Sequence, residues 1–160
     1  MKGNADVIAC LNEALKNELT ATNQYWLHYR LLDHWGIYQL AAYERAESID
    51  EMKHADQLAA RILMLDGLPN FQMVGRLRVG ESVKEVLESD MALEIEAVAQ
   101  LKAAIKICDD TQDYVSRELF TSILASEEHH VDYIEQQLEQ MGRMGEQNYI
   151  QLHSGTKTAE

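Results

Sequence analysis

A single proline and eight glycines in 160 residues leave too few chain-turning positions for an all-β domain, which needs frequent breaks. Only two cysteines occur, Cys10 and Cys108, with no Cys-x-x-Cys spacing. A disulfide scaffold, a zinc ribbon and a rubredoxin-like centre are therefore excluded, and each thiol reads as a small buried apolar residue. No window approaches the roughly 18 apolar residues of a membrane span. The opening MKGNADVIAC lacks the apolar stretch and cleavage site of a signal peptide, so a cytoplasmic protein with no membrane partner is expected. Positive charge is scarce as well: 14 Lys and Arg against 27 Asp and Glu give a net charge of −13. That speaks against nucleic acid, whose affinity comes from cations on phosphate. It suits a cationic partner such as a metal ion, or simply a well-solvated surface.

What remains is helix. With 46% hydrophobic and 26% charged residues, the composition is neither disordered nor membranous, and the length suits one domain over residues 1–160. Ile8, Leu11, Leu15, Glu18, Thr22, Tyr25, Tyr29 and Leu32 follow at steps of three and four, the seam of a bundle helix from about Asp6 to Trp35. Gly36 ends it. A second seam, Leu40, Glu44, Glu47, Glu51, His54, Leu58, Ile62 and Leu65, begins near Tyr38 and stops at Gly67-Leu68-Pro69. Residues 67–81 show no sustained period and are long enough to cross the bundle. Ser82, with Glu85 three residues on, predicts a capping box for a third helix with seam Val83, Leu87, Asp90, Glu94, Ala97, Leu101, Ala104 and Cys108. A fourth follows Asp113 through Phe120, Ile123, Glu127, His130, Ile134, Leu138 and Met141, closed by Gly142 and Gly145. Residues 146–152 form a short fifth helix, and the polar end from His153 is expected to fray. Helices of about 28 residues are about 42 Å long. Short loops within each pair and one long crossover between pairs give an all-α four-helix bundle of the one-crossover form.

Each seam is interrupted near its middle by Glu, and two of them by Glu-x-x-His: Glu18, then Glu51 and His54, then Glu94, then Glu127 and His130. Uncompensated carboxylates in a bundle core cost several kcal/mol each and repel one another. Too few Lys or Arg occupy the seams to neutralise them; Arg61 lies beside one. Four carboxylates balance two divalent cations. The spacing repeats: 33 residues separate Glu18 from Glu51 and Glu94 from Glu127, and 76 separate Glu18 from Glu94 and His54 from His130. With 17 Glu and 6 His, chance gives fewer than one Glu-x-x-His pair, whereas two occur in register. Residues three apart share a helix face, so each Glu and His can reach one ion. Oxygen donors with one imidazole per ion suit Fe or Mn, and paired ions about 3.5–4 Å apart can share carboxylates. The rival reading is a solvated charged face, against which stand the apolar neighbours flanking every one of these residues. Tyr25, two turns beyond Glu18, either serves a ligand by hydrogen bond or electron donation, or is a core tyrosine with a satisfied hydroxyl.

The stretches MKG, LNEALKNELTATNQYWLH, ESIDEMKHAD, GLPN, DYVSRELF and EEHHVDYIE resemble bacterioferritins, members of the ferritin-like superfamily, over essentially the full chain. The resemblance implies a ferritin-like bundle with one long crossover and a short C-terminal fifth helix. It also implies a diiron ferroxidase centre, two Fe ions per subunit, that oxidises Fe²⁺ with O₂ or H₂O₂ and stores it as a ferric mineral. In it Glu18 and Glu94 are terminal carboxylates, Glu51 and Glu127 bridge, and His54 and His130 supply one imidazole per iron. The family assembles a hollow 24-subunit shell built from dimers; homomeric and mixed shells both stay open. Haem b lies between two subunits with Met52 as axial ligand, and an electron-donating partner such as a ferredoxin serves iron release. By position alone Met52, which points away from the seam, would be a packing or interface residue. Leu19, Asn23, Trp26, Ile49, Lys53 and Phe71 fall where the family lines the haem pocket, while Arg45 stands where an aromatic is common. Ala46 replaces a His that pairs with Asp50 at an inner-surface iron site in some members; Glu47 remains to draw iron inward. The rival functions are a non-catalytic haem-binding shell subunit and a haem-free ferritin. All six ligand positions argue against the first, and Met52 against the second.

Overall fold

The computed structural model describes residues 1–157, which form five helices: α1 (Ala5–His34), α2 (Tyr38–Met64), α3 (Val83–Thr111), α4 (Tyr114–Met144) and α5 (Glu146–Ser154). α1 lies along α2, α3 along α4, and α1 also packs on α3, with α5 against α2 and α4. No helix among the described residues is long and apolar enough to cross a membrane.

Local chemistry sets the ends. Asn4 caps α1, its side chain accepting from the N–H groups of Asp6 and Val7. Gly36, at φ +81°, turns the chain between α1 and α2, a backbone region open to glycine at little cost. Ser82 Oγ accepts from Glu85 N–H at 3.2 Å. The return bond from the Glu85 carboxylate goes to Glu81 N–H at 2.8 Å, so the expected capping box is shifted by one residue. Asp113 opens α4 by accepting from Ser116 N–H. Arg61 is already engaged there: its Nη2 donates to Asp113 Oδ1 and its Nε to Ser116 Oγ, each at 2.8 Å.

Two expectations are corrected. Gly142 does not close α4, which runs to Met144 before Gly145 ends it. The expected fraying point at His153 is inside α5. His153 hydrogen-bonds Gln140 Oε1 at 2.9 Å and packs its ring on Tyr149, whose hydroxyl donates to Gln137. Contacts back to α4 thus hold the last turn. Residues 158–160 of the expected frayed end lie outside the described residues.

The core has two large apolar blocks, with a small cluster of Ala21, Tyr25 and Leu93 besides. One gathers Leu11, Leu15, Leu58, Ile62, Leu101, Cys108 and Phe120; the other gathers Leu32, Leu40, Val86, Leu87, Ile134 and Tyr149 at the α5 end. Cys108 is buried as expected and Cys10 half-buried. Along every long helix the acidic seam positions fall between these blocks. The bundle middle is therefore polar and sealed at both ends by close-packed side chains.

Candidate metal centre and an outer groove

Glu18, Glu44, Glu47, Glu51, Asp90, Glu94, Glu127 and His130 are all buried, most of them about 1% exposed. Side chains three and four apart lie above one another on a helix, and the bundle points these faces at a common axis. Two groups of ligand atoms result, each within 4.8 Å: Glu18, Glu51, His54 and Glu127 in one, Glu51, Glu94, Glu127 and His130 in the other. Glu51 and Glu127 belong to both. His54 Nδ1 lies 3.1 Å from Glu51 and 3.4 Å from Glu18 and Glu127. His130 Nδ1 lies 3.0 Å from Glu127, 3.2 Å from Glu51 and 3.4 Å from Glu94. The two halves are near copies, as the repeated spacing of 33 and 76 residues leads one to expect.

His54 and Glu51 Oε2 share a hydrogen bond, but the other contacts are close and poorly aligned for hydrogen bonding. Glu51 Oε1, Glu94 Oε2, both Glu127 oxygens and His130 Nδ1 are sealed from solvent and hydrogen-bond to nothing. Leaving one buried polar atom unpaired costs about 1–3 kcal/mol, and here five converge. Their chemistry, carboxylate oxygens with one imidazole nitrogen in each half, fits a pair of hard or borderline divalent cations.

Protons take the place of cations in the metal-free cluster. Burial, then the charge of Glu51, pushes Glu18 well above the carboxylate range. Burial also raises Glu94, against the pull of His130 and with help from Glu127 and Glu51. For Glu51 and Glu127 burial acts upward too, but His130 and His54 outweigh it and both stay low. Burial alone would lower His54; Glu127, Glu18 and Glu51 instead hold it up to about 12. His130 is raised further, burial being overcome by Glu127, Glu47, Glu51 and Glu94. With Glu18 and Glu94 shifted toward the neutral acid and His54 and His130 toward imidazolium, the six side chains carry far less net negative charge than four bare carboxylates would.

Tyr25 is fully buried in the core and donates its hydroxyl to Glu94 Oε1, which meets both the hydrogen bond to a candidate ligand and the core tyrosine with a satisfied hydroxyl. Glu47 meets the outer nitrogen of His130 at 2.5 Å, so it adjoins the cluster. Asp50 is instead paired with Lys53 Nζ at 2.6 Å, and Ala46 offers no donor beside it.

A third polar group was missed. His28, Glu44 and Asp90 are buried together, one turn or more from the six ligand positions. Gly80 N–H donates to His28 Nε2 at 3.1 Å, which leaves the ring hydrogen on Nδ1 to donate to Asp90 at 2.9 Å. Both ring nitrogens are thus committed. Gln24 donates to Asp90 Oδ1 and accepts from Arg78 N–H, and Thr20 Oγ1 accepts from Gly75 N–H at 2.8 Å. Thr20, Gln24 and His28, spaced by four on α1, are a row of acceptors for the crossover backbone. Burial and the charge of Asp90 push the Glu44 carboxyl well above its usual range. Gly80 fits where nothing larger does: a Cβ would fall 2.3 Å from Val86 N. The only sequence signal was the four-residue polar spacing beside the α1 seam.

On the opposite face of α2, Met52 is 44% exposed. It lines a groove of about 750 Å³ with Trp26, Ile49, Lys53 and Phe71. Of the expected pocket residues, Leu19 lies instead in the core, and Asn23 is exposed outside that lining. An accessible thioether among aromatic and aliphatic side chains is a soft donor in an apolar slot, which fits the axial position and flat apolar faces of a porphyrin.

Comparison with known proteins identifies the family. Residues 8–144 match the ferritin-like domain family model. The chain is 53% identical over 154 residues to a bacterioferritin of Brucella melitensis, covering 96% of each. It is 50% identical over 149 residues to a bacterioferritin of Mycobacterium tuberculosis (93% of this chain, 94% of the relative). To a bacterioferritin of Streptomyces coelicolor it is 49% identical over 150 residues (94% and 90%). Half of all positions shared across nearly the whole length of three such proteins, on a bundle that carries two Glu-x-x-His halves, means that the chain belongs to the bacterioferritins of the ferritin-like family.

Proposed function

We propose that the protein oxidises Fe²⁺ to Fe³⁺ at the centre formed by Glu18, Glu51, His54, Glu94, Glu127 and His130, and stores the product as a ferric mineral inside a hollow 24-subunit shell. One observation carries this reading: five buried oxygen and nitrogen atoms converge without hydrogen bonds in the polar middle of a bundle closed at both ends by apolar side chains. Iron is the substrate. Two ferrous ions held together can deliver two electrons to one O₂ or H₂O₂.

The side chains divide the work by position. Glu51 and Glu127, common to both halves, would be shared between two ions, and Glu18 with His54, and Glu94 with His130, would hold one ion each. Four carboxylates neutralise two divalent ions, and they stabilise the ferric state further because the site is dry and the Coulomb attraction little screened. Tyr25 keeps Glu94 oriented through its hydroxyl. The apolar blocks at either end keep bulk water out. A shell of subunits at −13 each concentrates cations near its surface and pores.

Met52, with Trp26, Ile49 and Phe71 around it, would hold haem b where two subunits meet, and the haem would supply a path for electrons from a ferredoxin-like donor for iron release. The protein then acts in the cytoplasm as one diiron domain per chain.

Stopped-flow absorbance after mixing with Fe²⁺ tests the centre. Glu18→Ala and His130→Ala should each slow oxidation roughly tenfold or more, since even outer-shell changes at metal sites cost 10–100-fold, while shell mass stays unchanged. Wild-type rates in both variants would defeat the assignment. Met52→Leu should abolish the Soret band and leave oxidation intact; a retained band would remove Met52 as the haem ligand.

A further inference from the structure

The Met52 groove has an electrical polarity. Along α2, Arg45 lies seven residues before Met52 and Asp56 four residues after it. Seven residues return to nearly the same helix face about 10.5 Å away at 1.5 Å per residue. The Arg45 guanidinium sits over the ring of Trp26, 5.8 Å from its centroid, and Trp26 is a wall of the groove. Arg45 is exposed and makes no ion pair among the described residues. Lys53, the other cation at the groove, is neutralised by Asp50 at 2.6 Å. Asp56 lines the groove on the far side of Met52. In a chain that is strongly acidic overall, Arg45 thus stands beside the groove, over its Trp26 wall, and Asp56 lines it beyond Met52, neither of them in an ion pair among the described residues.

A porphyrin such as haem b carries its two carboxylates on one edge, roughly that same reach from the ring centre. With the ring centre fixed at Met52, those carboxylates are repelled by Asp56 and met by a guanidinium that pairs well with carboxylates. We infer that Arg45 is the carboxylate-binding residue of the Met52 groove: it pairs with a haem propionate and sets the direction in which the ring enters. The inference rests on the haem reading above and deepens it. Stacking on Trp26 restricts the side chain before any ligand arrives, so little side-chain freedom is lost in pairing.

The test separates charge pairing from packing. Assembled wild-type, Arg45→Gln and Arg45→Lys shells, stripped of haem, are titrated with haem b and with its dimethyl ester, whose carboxylates are masked. Binding is read at the Soret band, and release by transfer to apomyoglobin. A charge-assisted pair predicts that Arg45→Gln weakens haem b about tenfold to a hundredfold and that Arg45→Lys recovers part of the loss. Wild-type and Arg45→Gln should bind the ester equally. Equal weakening of both ligands by Arg45→Gln would mean that Arg45 acts only by packing on Trp26, and no weakening of either would mean that it plays no part; both overturn the inference. A wild-type shell that binds neither ligand overturns the haem reading itself.

Discussion

Tyr25 donates its hydroxyl to Glu94 Oε1, and both side chains are closed to solvent. Burial, then the charges of Glu94 and Asp90, hold the phenol well above its usual range, so it stays a donor at any working pH. Tyr25→Phe keeps the ring and removes the hydroxyl. The exposed consequence is a carboxylate oxygen with no partner, worth about 1–3 kcal/mol. The variant should assemble, melt several degrees lower and oxidise Fe²⁺ more slowly. Unchanged melting and unchanged stopped-flow rates together would show that the bond does not orient Glu94.

The row of acceptors on α1 gives a second expectation. His28→Ala takes away the acceptor for Gly80 N–H and one donor to Asp90, while Gln24 and Thr20 keep their bonds to Arg78 and Gly75. Hydrogen exchange should therefore accelerate sharply at Gly80 and less at Gly75. Asn70, whose N–H donates to Asn12 at the other end of the crossover, should be unaffected. Uniform acceleration along 67–81 would mean that the segment is held as one unit, not by separate side chains.

These two cases mark how far the sequence could be read. The seams, the crossover and the paired Glu-x-x-His groups were legible because a bundle core imposes a period, and a charge that breaks the period is conspicuous. Glu18 and Glu94 are both buried in the bundle middle. Thr20, Gln24 and His28 were not legible as a set, because their partners are backbone N–H groups of a segment with no period. His153 was misjudged for a similar reason: its stability comes from Gln140 and Tyr149, not from its own neighbours' polarity. Met52 is a middle case. Its outward direction follows from its place beside Glu51, but the groove walls come from Trp26 on α1 and Phe71 on the crossover, and only family resemblance brought those together.

The metal-free charge balance leads to a measurable proton count. Glu18, Glu94, His54 and His130 are the groups that favour a proton before metal binds, all four being raised, while Glu51 and Glu127 are lowered and favour the carboxylate. Ligation needs four carboxylates and two neutral imidazoles, so two divalent cations displace these four protons. The sign follows directly. Raising pH favours the deprotonated ligands, and affinity should climb with pH across the neutral range, by up to two decades per pH unit for each ion. Zn²⁺, which binds without oxidation, isolates this step from chemistry. A pH-stat titration of the metal-free shell near pH 7 should record about four protons released per two Zn²⁺ bound. Glu18→Gln, whose amide has no acidic proton to lose, should release about three. Release of one proton or none per pair of ions would mean that the carboxylates and imidazoles are already stripped before metal arrives. The convergence of buried charge would then need another source of compensation.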